Sequence, residues 1–288
     1  MPLLLVILLT SSAAVNSFSV VSPSSAMTFD TRATVSAAPA GAVNSSAAAL
    51  DGLAERYWRH ELGNDLQLRA QVGLPIETIR PITYANAQAD AAFAQSVLDD
   101  LGRIDATGLD HDRWLTYRTL QYLAGNEATS AKYYWLAQQA TPYVGGLQLG
   151  FLTESFATFK FESEADAARY VLLLNQYAAF VRSLGQLLRD QHAHGVILPV
   201  AEIDATQAVY ENYARPGQAD ALVPGEERLQ ALTPAQRTAL RADAQFAVRV
   251  QVVPAFAGVA AYLKGDYRSG APTEVGLWQY PGGDAYYR

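Results

Sequence analysis

Between Ser163 and Gly195 an apolar stripe recurs at helical spacing, over roughly six turns of helix. A stripe of that length stays folded only if other elements cover it, so the chain around it must supply a helical core. Ala167, Tyr170, Val171, Leu174, Ala178, Val181, Leu184 and Leu188 form the stripe. Leu172, Leu173 and Phe180 widen it, which predicts that much of the helix is buried. Ser163 is the predicted N-cap, with Glu164 and Asp166 in the first turn where the helix dipole favours anions. Gly195 is the predicted stop.

The rest of the sequence reads in the same period. Leu50, Leu53, Ala54, Tyr57, Trp58 and Leu62 predict a first organised helix that stops near Gly63. Two prolines between Gly73 and Pro81 predict an extended segment. A second helix is expected from Tyr84 to Leu101, and a third from the N-cap Asp110 towards Gly125. From Thr129 to Phe161, eight aromatics including Tyr133, Tyr134, Trp135 and Phe156 alternate with breakers such as Pro142 and Gly145-Gly146. That pattern predicts an irregular connection packed onto a core, with cleft lining as the other reading. Pro199 suits the first turn of a helix reaching about Tyr213, and Arg215 to Leu232 reads as a loop. Thr233-Pro234-Ala235-Gln236 is a capping box. The helix it opens carries Ala239, Ala242, Phe246, Val250, Val253 and Ala257 on one face, and Pro254 predicts a kink. The tail from Tyr267 is rich in Gly, Pro and aromatics. The expected fold is mainly α: an antiparallel helical array with long helices and a short irregular or hairpin-like C-terminal segment.

Half of the 288 residues are hydrophobic and 17% are charged, enough apolar material for a sizeable core. The net charge of -7 and the scattered Lys and Arg argue against nucleic acid as a partner. The absence of cysteine excludes disulfides, thiolate metal sites and lipid attachment through an N-terminal cysteine. Residues 1–26 read as a signal peptide. Leu3 to Leu9 is an apolar run, and Ser12-x-Ala14 and Ser24-x-Ala26 are candidate cleavage sites, although no Lys or Arg stands near Met1. Residues 27–49 read as a flexible leader and 50–288 as the helical portion, in a secreted or periplasmic protein. Charges interrupt the later apolar runs, so no stable membrane span is expected.

No motif for catalysis stands out. There is no H-E-x-x-H, no Gly-x-Ser-x-Gly elbow and no phosphate loop. His192 and His194, two residues apart on a helix, point about 200° away from each other and cannot share an ion. They are expected as helix-end surface residues, where a cation near the C-terminus is favourable. His60 and His111 have no ligand partner one turn on.

The tail adds a pointer of another kind. Gly276, Leu277, Pro281, Gly283, Tyr286 and Tyr287 fall at the spacing G-L-x-x-L-P-x-G-x-x-Y-Y, with Tyr280 where Leu is usual. This stretch resembles a bacterial family called domain of unknown function 885. Leu53 to Trp58, Leu101 to Asp105, Gly195 to Pro199 and Val253-Pro254-Ala255-Phe256 resemble further family segments in the same order. The family is similar to helical zinc peptidases of the zincin type. The resemblance implies a fold with an internal channel, a peptide substrate, and zinc held by a His-Glu helix further along than this chain reaches. No cofactor or metal ligand is therefore carried onto this chain, and zinc is expected only in the complete protein. Tyr286 and Tyr287 are the residues the resemblance offers as substrate contacts. The expectation is the N-terminal portion of a secreted zinc-peptidase-like hydrolase, inactive alone, whose partner is the C-terminal portion of the same domain. The alternative is a stand-alone helical peptide-binding protein of the cell envelope.

Overall fold

The computed structural model describes residues 40–286. The signal-peptide reading, the leader through residue 39, and Tyr287 lie outside the described residues. No strand occurs among them, and the fold is mainly α. The chain divides into two compact units.

Among the described residues, the first unit takes residues 40–63 and Ala92–Ala128. It holds α1 (Ala40–Asn64), the C-terminal part of α3 (Tyr84–Leu101) and most of α4 (His111–Ser130). Helix α1 begins ten residues before the expected start at Leu50, in a stretch of small residues read as leader. Alanine is the best helix former, so the run Ala47-Ala48-Ala49 extends the helix rather than ending it. Leu50, Leu53 and Tyr57 of α1 meet Ala94, Val97 and Leu101 of α3 and Leu120, Leu123 and Ala124 of α4. The Arg56 guanidinium pairs with Asp100 at 2.9 Å, and Arg113 pairs with Asp51 at 2.9 Å.

The second unit takes Asn64–Ala91 and the chain from Thr129. It opens with α2 (Leu66–Gln71), capped by the Asp65 carboxylate, and an extended segment to Thr83. Helix α3 (Tyr84–Leu101) starts and stops where its sequence predicts. Helix α4 (His111–Ser130) starts behind the Asp110 cap, whose carboxylate accepts from the Arg113 amide at 2.9 Å. The aromatic stretch after it is not irregular throughout. A 3-10 turn covers Ala131–Leu136, and α5 occupies Gly145–Ala157. Gly145-Gly146 opens α5 instead of breaking a helix, because a Cβ at Gly145 would collide with the Gln139 carbonyl.

Helix α6 (Glu164–Ala193) is the predicted thirty-residue helix, capped by Ser163 and followed by Gly195 at φ +75°. Next come α7 (Val200–Ala214), the short α8 (Pro216–Asp220), and α9 (Pro234–Ala247) behind the predicted capping box. The Pro254 kink takes a specific form. Val248–Val252 is a π turn in which the Val253 amide bonds to the Val248 carbonyl. Pro254, which has no amide hydrogen, stands in the first turn of α10 (Val253–Tyr262). A second π turn at Leu263–Tyr267 ends the run, with Gly265 outside helical geometry. Contacts fix the directions. Glu164 meets Gln236, Arg182 meets Gln251 and Arg189 lies over Tyr262, so α6 runs parallel to α9–α10. Asp204 meets Arg268 and Tyr213 meets Phe256, so α7 runs antiparallel to α10. Tyr170, Tyr177, Tyr210, Tyr267 and Phe256 fill the core between them.

By length and composition the run Pro234–Tyr267 is apolar enough to cross a membrane, which the charge-interrupted sequence did not predict. Of its 18-residue apolar stretch, 44% is buried inside the protein. The tail takes the irregular form, with a 3-10 turn at Leu277–Gln279 and α11 at Gly283–Tyr286. Gly276 sits at φ +110°, and a Cβ on Gly283 would collide with the Leu277 carbonyl, so both glycines are required by the backbone.

Candidate functional site

One face of α6 turns away from the core and carries Arg182, Gln186 and Asp190, one helical turn apart from each other. Two distant segments are fastened beside it and make a cleft of about 340 Å³. The first is the end of the extended segment. The Ile79 amide donates to Gln176 Oε1 at 2.8 Å, and the Ile82 amide donates to Ser183 Oγ at 2.9 Å. Arg80 grips Asp90 with both distances at 2.8 Å, which ties this segment to the first turns of α3 and positions Tyr84. The second is the 3-10 turn Ala131–Leu136. Gln191 is 2% exposed, and its amide group donates to the Trp135 and Ala137 carbonyls at 2.8 Å each. That clamp holds Tyr134 over the cleft. Ile82, Thr83, Ser183 and Leu187 complete the lining.

The walls are aromatic. The Tyr84 ring lies 5.4 Å from Tyr134 and 5.2 Å from Trp135. Trp135 stacks on His194 at 4.0 Å. Burial, with the Asp190 charge second, pushes the Tyr134 hydroxyl up to about 12, so it stays neutral and able to donate. Gln186 Nε2 donates to Asp190 Oδ1 at 2.8 Å, and Arg182 makes a 3.3 Å hydrogen bond to Gln251. Ser183 is no nucleophile: its hydroxyl accepts from Ile82 and donates to the Phe180 carbonyl at 2.7 Å. The arrangement suits binding: an aromatic wall beside a strip of cation, amide and carboxylate, with no nucleophile and base in reach of each other.

The tyrosines the sequence offers stand elsewhere. Tyr286 is half-buried on α11, its ring edge-on to Tyr133 at 5.3 Å. It packs on the same 3-10 turn but does not line the cleft. Tyr287 lies outside the described residues. Tyr280, the departure from the family pattern, donates its hydroxyl hydrogen to the Ile197 carbonyl, a bond Leu would lack. The histidines diverge as expected. His192 Nδ1 is 3.2 Å from the Tyr262 hydroxyl, and His194 Nδ1 is 2.7 Å from the Asp190 carbonyl oxygen. Among the described residues no three His, Asp or Glu side chains gather as metal ligands. The described residues do not fit a zinc ion.

Sequence reading missed Arg182, Gln186 and Asp190. Their signal was polar spacing at i, i+4 and i+8 on the outer face of an otherwise apolar helix.

Residues 68–288 match the family described as "Bacterial protein of unknown function (DUF885)". Among solved structures the chain is similar to "putative lipoprotein from Colwellia psychrerythraea", with a TM-score of 0.62 at 14% identity. The match covers 85% of this chain and 45% of that one, so the chain spans less than half the length of that relative. At this identity the likeness is one of fold. No curated protein matches.

Proposed function

The chain belongs to the bacterial protein family of unknown function DUF885, and from that premise we propose that it binds and orients peptide in a zinc-peptidase-like hydrolase. The described residues furnish channel wall and substrate contacts. The metal site and the hydrolytic chemistry belong to the C-terminal portion of the complete protein. The observation that carries this reading is the cleft of Tyr84, Tyr134, Arg182, Gln186 and Asp190. A peptide presents apolar side chains, amides and charges together, and this cleft offers a counterpart to each. Tyr286 and Tyr287 are proposed as further substrate contacts of the complete protein, reached through the turn on which Tyr133 and Tyr134 stand. The proposed location is the cell envelope or beyond it. The apolar run Leu3 to Leu9 supports this, and so does the description of the Colwellia relative as a lipoprotein.

The test is peptide binding and zinc content on the purified chain. Binding of short peptides by calorimetry, without hydrolysis and without stoichiometric zinc by elemental analysis, is the expected result. One zinc per chain, or turnover of peptide, overturns it. A second reading, a stand-alone peptide-binding protein, is favoured by how well the chain covers the inner face of α6, where Tyr170, Leu174, Val181, Leu184 and Leu188 are all 0% exposed. A single cooperative unfolding transition supports that reading, and aggregation through exposed apolar surface supports the first.

A further inference from the structure

Arg182 and Asp190 are eight residues apart on one helix face, about 12 Å along the axis. An extended peptide advances about 3.3–3.6 Å per residue, so about three to four residues span that interval. The two ends of the strip carry opposite charge, and Gln186 stands between them with an amide group. We infer that the cleft selects short peptides with both termini free, the carboxylate held by Arg182 and the ammonium by Asp190. This rests on the peptide-binding function proposed above and adds length and end chemistry to it.

Other geometry agrees. The guanidinium is the side chain best shaped to grip a carboxylate with two parallel hydrogen bonds. Its existing bond to Gln251 is long, at 3.3 Å, and readily exchanged for a charge-assisted one. The Asp190 carboxylate is half-buried beside Tyr134, where a ligand ammonium would be partly shielded from water. The strip has one cation and one carboxylate at defined places, unlike a surface that binds either sign indiscriminately. A middle side chain would lie against the rings of Tyr84 and Tyr134.

The experiment is calorimetric titration of the full chain with the tripeptide alanyl-phenylalanyl-alanine. The same tripeptide is titrated acetylated at its N-terminus, amidated at its C-terminus, and doubled to six residues. Each cap is expected to weaken binding about tenfold, as loss of one charge-assisted contact does. The six-residue form is expected to weaken by a similar factor, because it can satisfy only one end. Arg182→Gln should abolish the penalty for amidation and keep that for acetylation; Asp190→Asn should do the reverse. Equal binding of free and capped peptides overturns the end-reading and leaves the peptide site standing. Failure of every form to bind overturns both. Penalties that respond to the opposite variant overturn the assignment of ends. The capped ligands test the unaltered chain, so the answer does not depend on either variant folding.

Discussion

Helix α6 and the helical run from Pro234 to Tyr267 lie parallel in one core and have similar length, yet only α6 is regular throughout. Two π turns interrupt the second run, the first directly ahead of Pro254. The difference arises from the surfaces each must cover. Helix α6 keeps a constant repeat, and that constancy places Arg182, Gln186 and Asp190 in one line. The other run changes its facing midway: α9 packs on α6, and after the π turn α10 packs on both α6 and α7. A π turn inserts one residue and rotates the helix beyond it, so one continuous rod serves two neighbours. Regularity here serves the cleft, and irregularity serves the packing.

The sharpest way to break the contrast is to give α6 the residue that its neighbour tolerates. Ala179 is half-buried in the middle of α6, with no π turn ahead of it. Ala179→Pro should cost at least about 3 kcal/mol in urea unfolding, because it removes one helical bond and clashes with the preceding turn. A loss under about 1 kcal/mol would show that α6 makes room for proline as readily as its neighbour does.

An effect of comparable size for each buried tyrosine should appear in alkali. Burial pushes Tyr170 up to about 12, and raises Tyr177 and Tyr267 as well. The unfolded chain releases these protons from about pH 10 while the folded chain retains them. Stability is therefore intact below pH 10 and falls as pH rises through 12, by about 1.4 kcal/mol per pH unit for each such tyrosine. Urea midpoints between pH 8 and pH 12, in buffers of about equal ionic strength, should trace that fall. Tyr177→Phe should make it shallower, and an unchanged slope would show that Tyr177 opens to solvent.

The smallest effect is expected at the proline already present. The π turn has absorbed the missing donor, and Pro254 itself is exposed. Pro254→Ala should shift stability by less than about 1 kcal/mol in either direction. A loss near that of Ala179→Pro would mean that the proline holds the π turn in place.

Much of this fold was legible because its cues are local. Ser163, Asp110 and Thr233 all cap where the sequence places them, and α3 has its predicted bounds. Helix α5 was not legible: Gly145-Gly146 looks like a breaker, and only the close Gln139 carbonyl explains the glycine there. The π turns were hidden for the opposite reason, since Pro254 announces a disturbance without saying which form relieves it. The cleft was the least legible feature. Tyr84 and Tyr134 lie fifty residues apart in sequence, and hydrogen bonds to Gln176, Ser183 and Gln191 bring their segments to α6. The family resemblance rested on the tail, and its glycines proved to be a requirement of backbone geometry. It pointed to Tyr286, whose ring packs on Tyr133 beside the cleft's wall.

The parallel course of α6 and α10 also has an electrical consequence. Antiparallel neighbours cancel their dipoles, but parallel ones add, so two negative helix ends fall together. Arg189 stands near the end of α6, and Lys264 and Arg268 at the end of the other run. Helix α7 starts at that same end with Glu202 and Asp204, carboxylates at the one positive terminus, and Asp204 pairs with Arg268. Arg189, Lys264 and Arg268 thus counter part of the field that the backbone creates at this end, while Asp190 and Asp266 add to it.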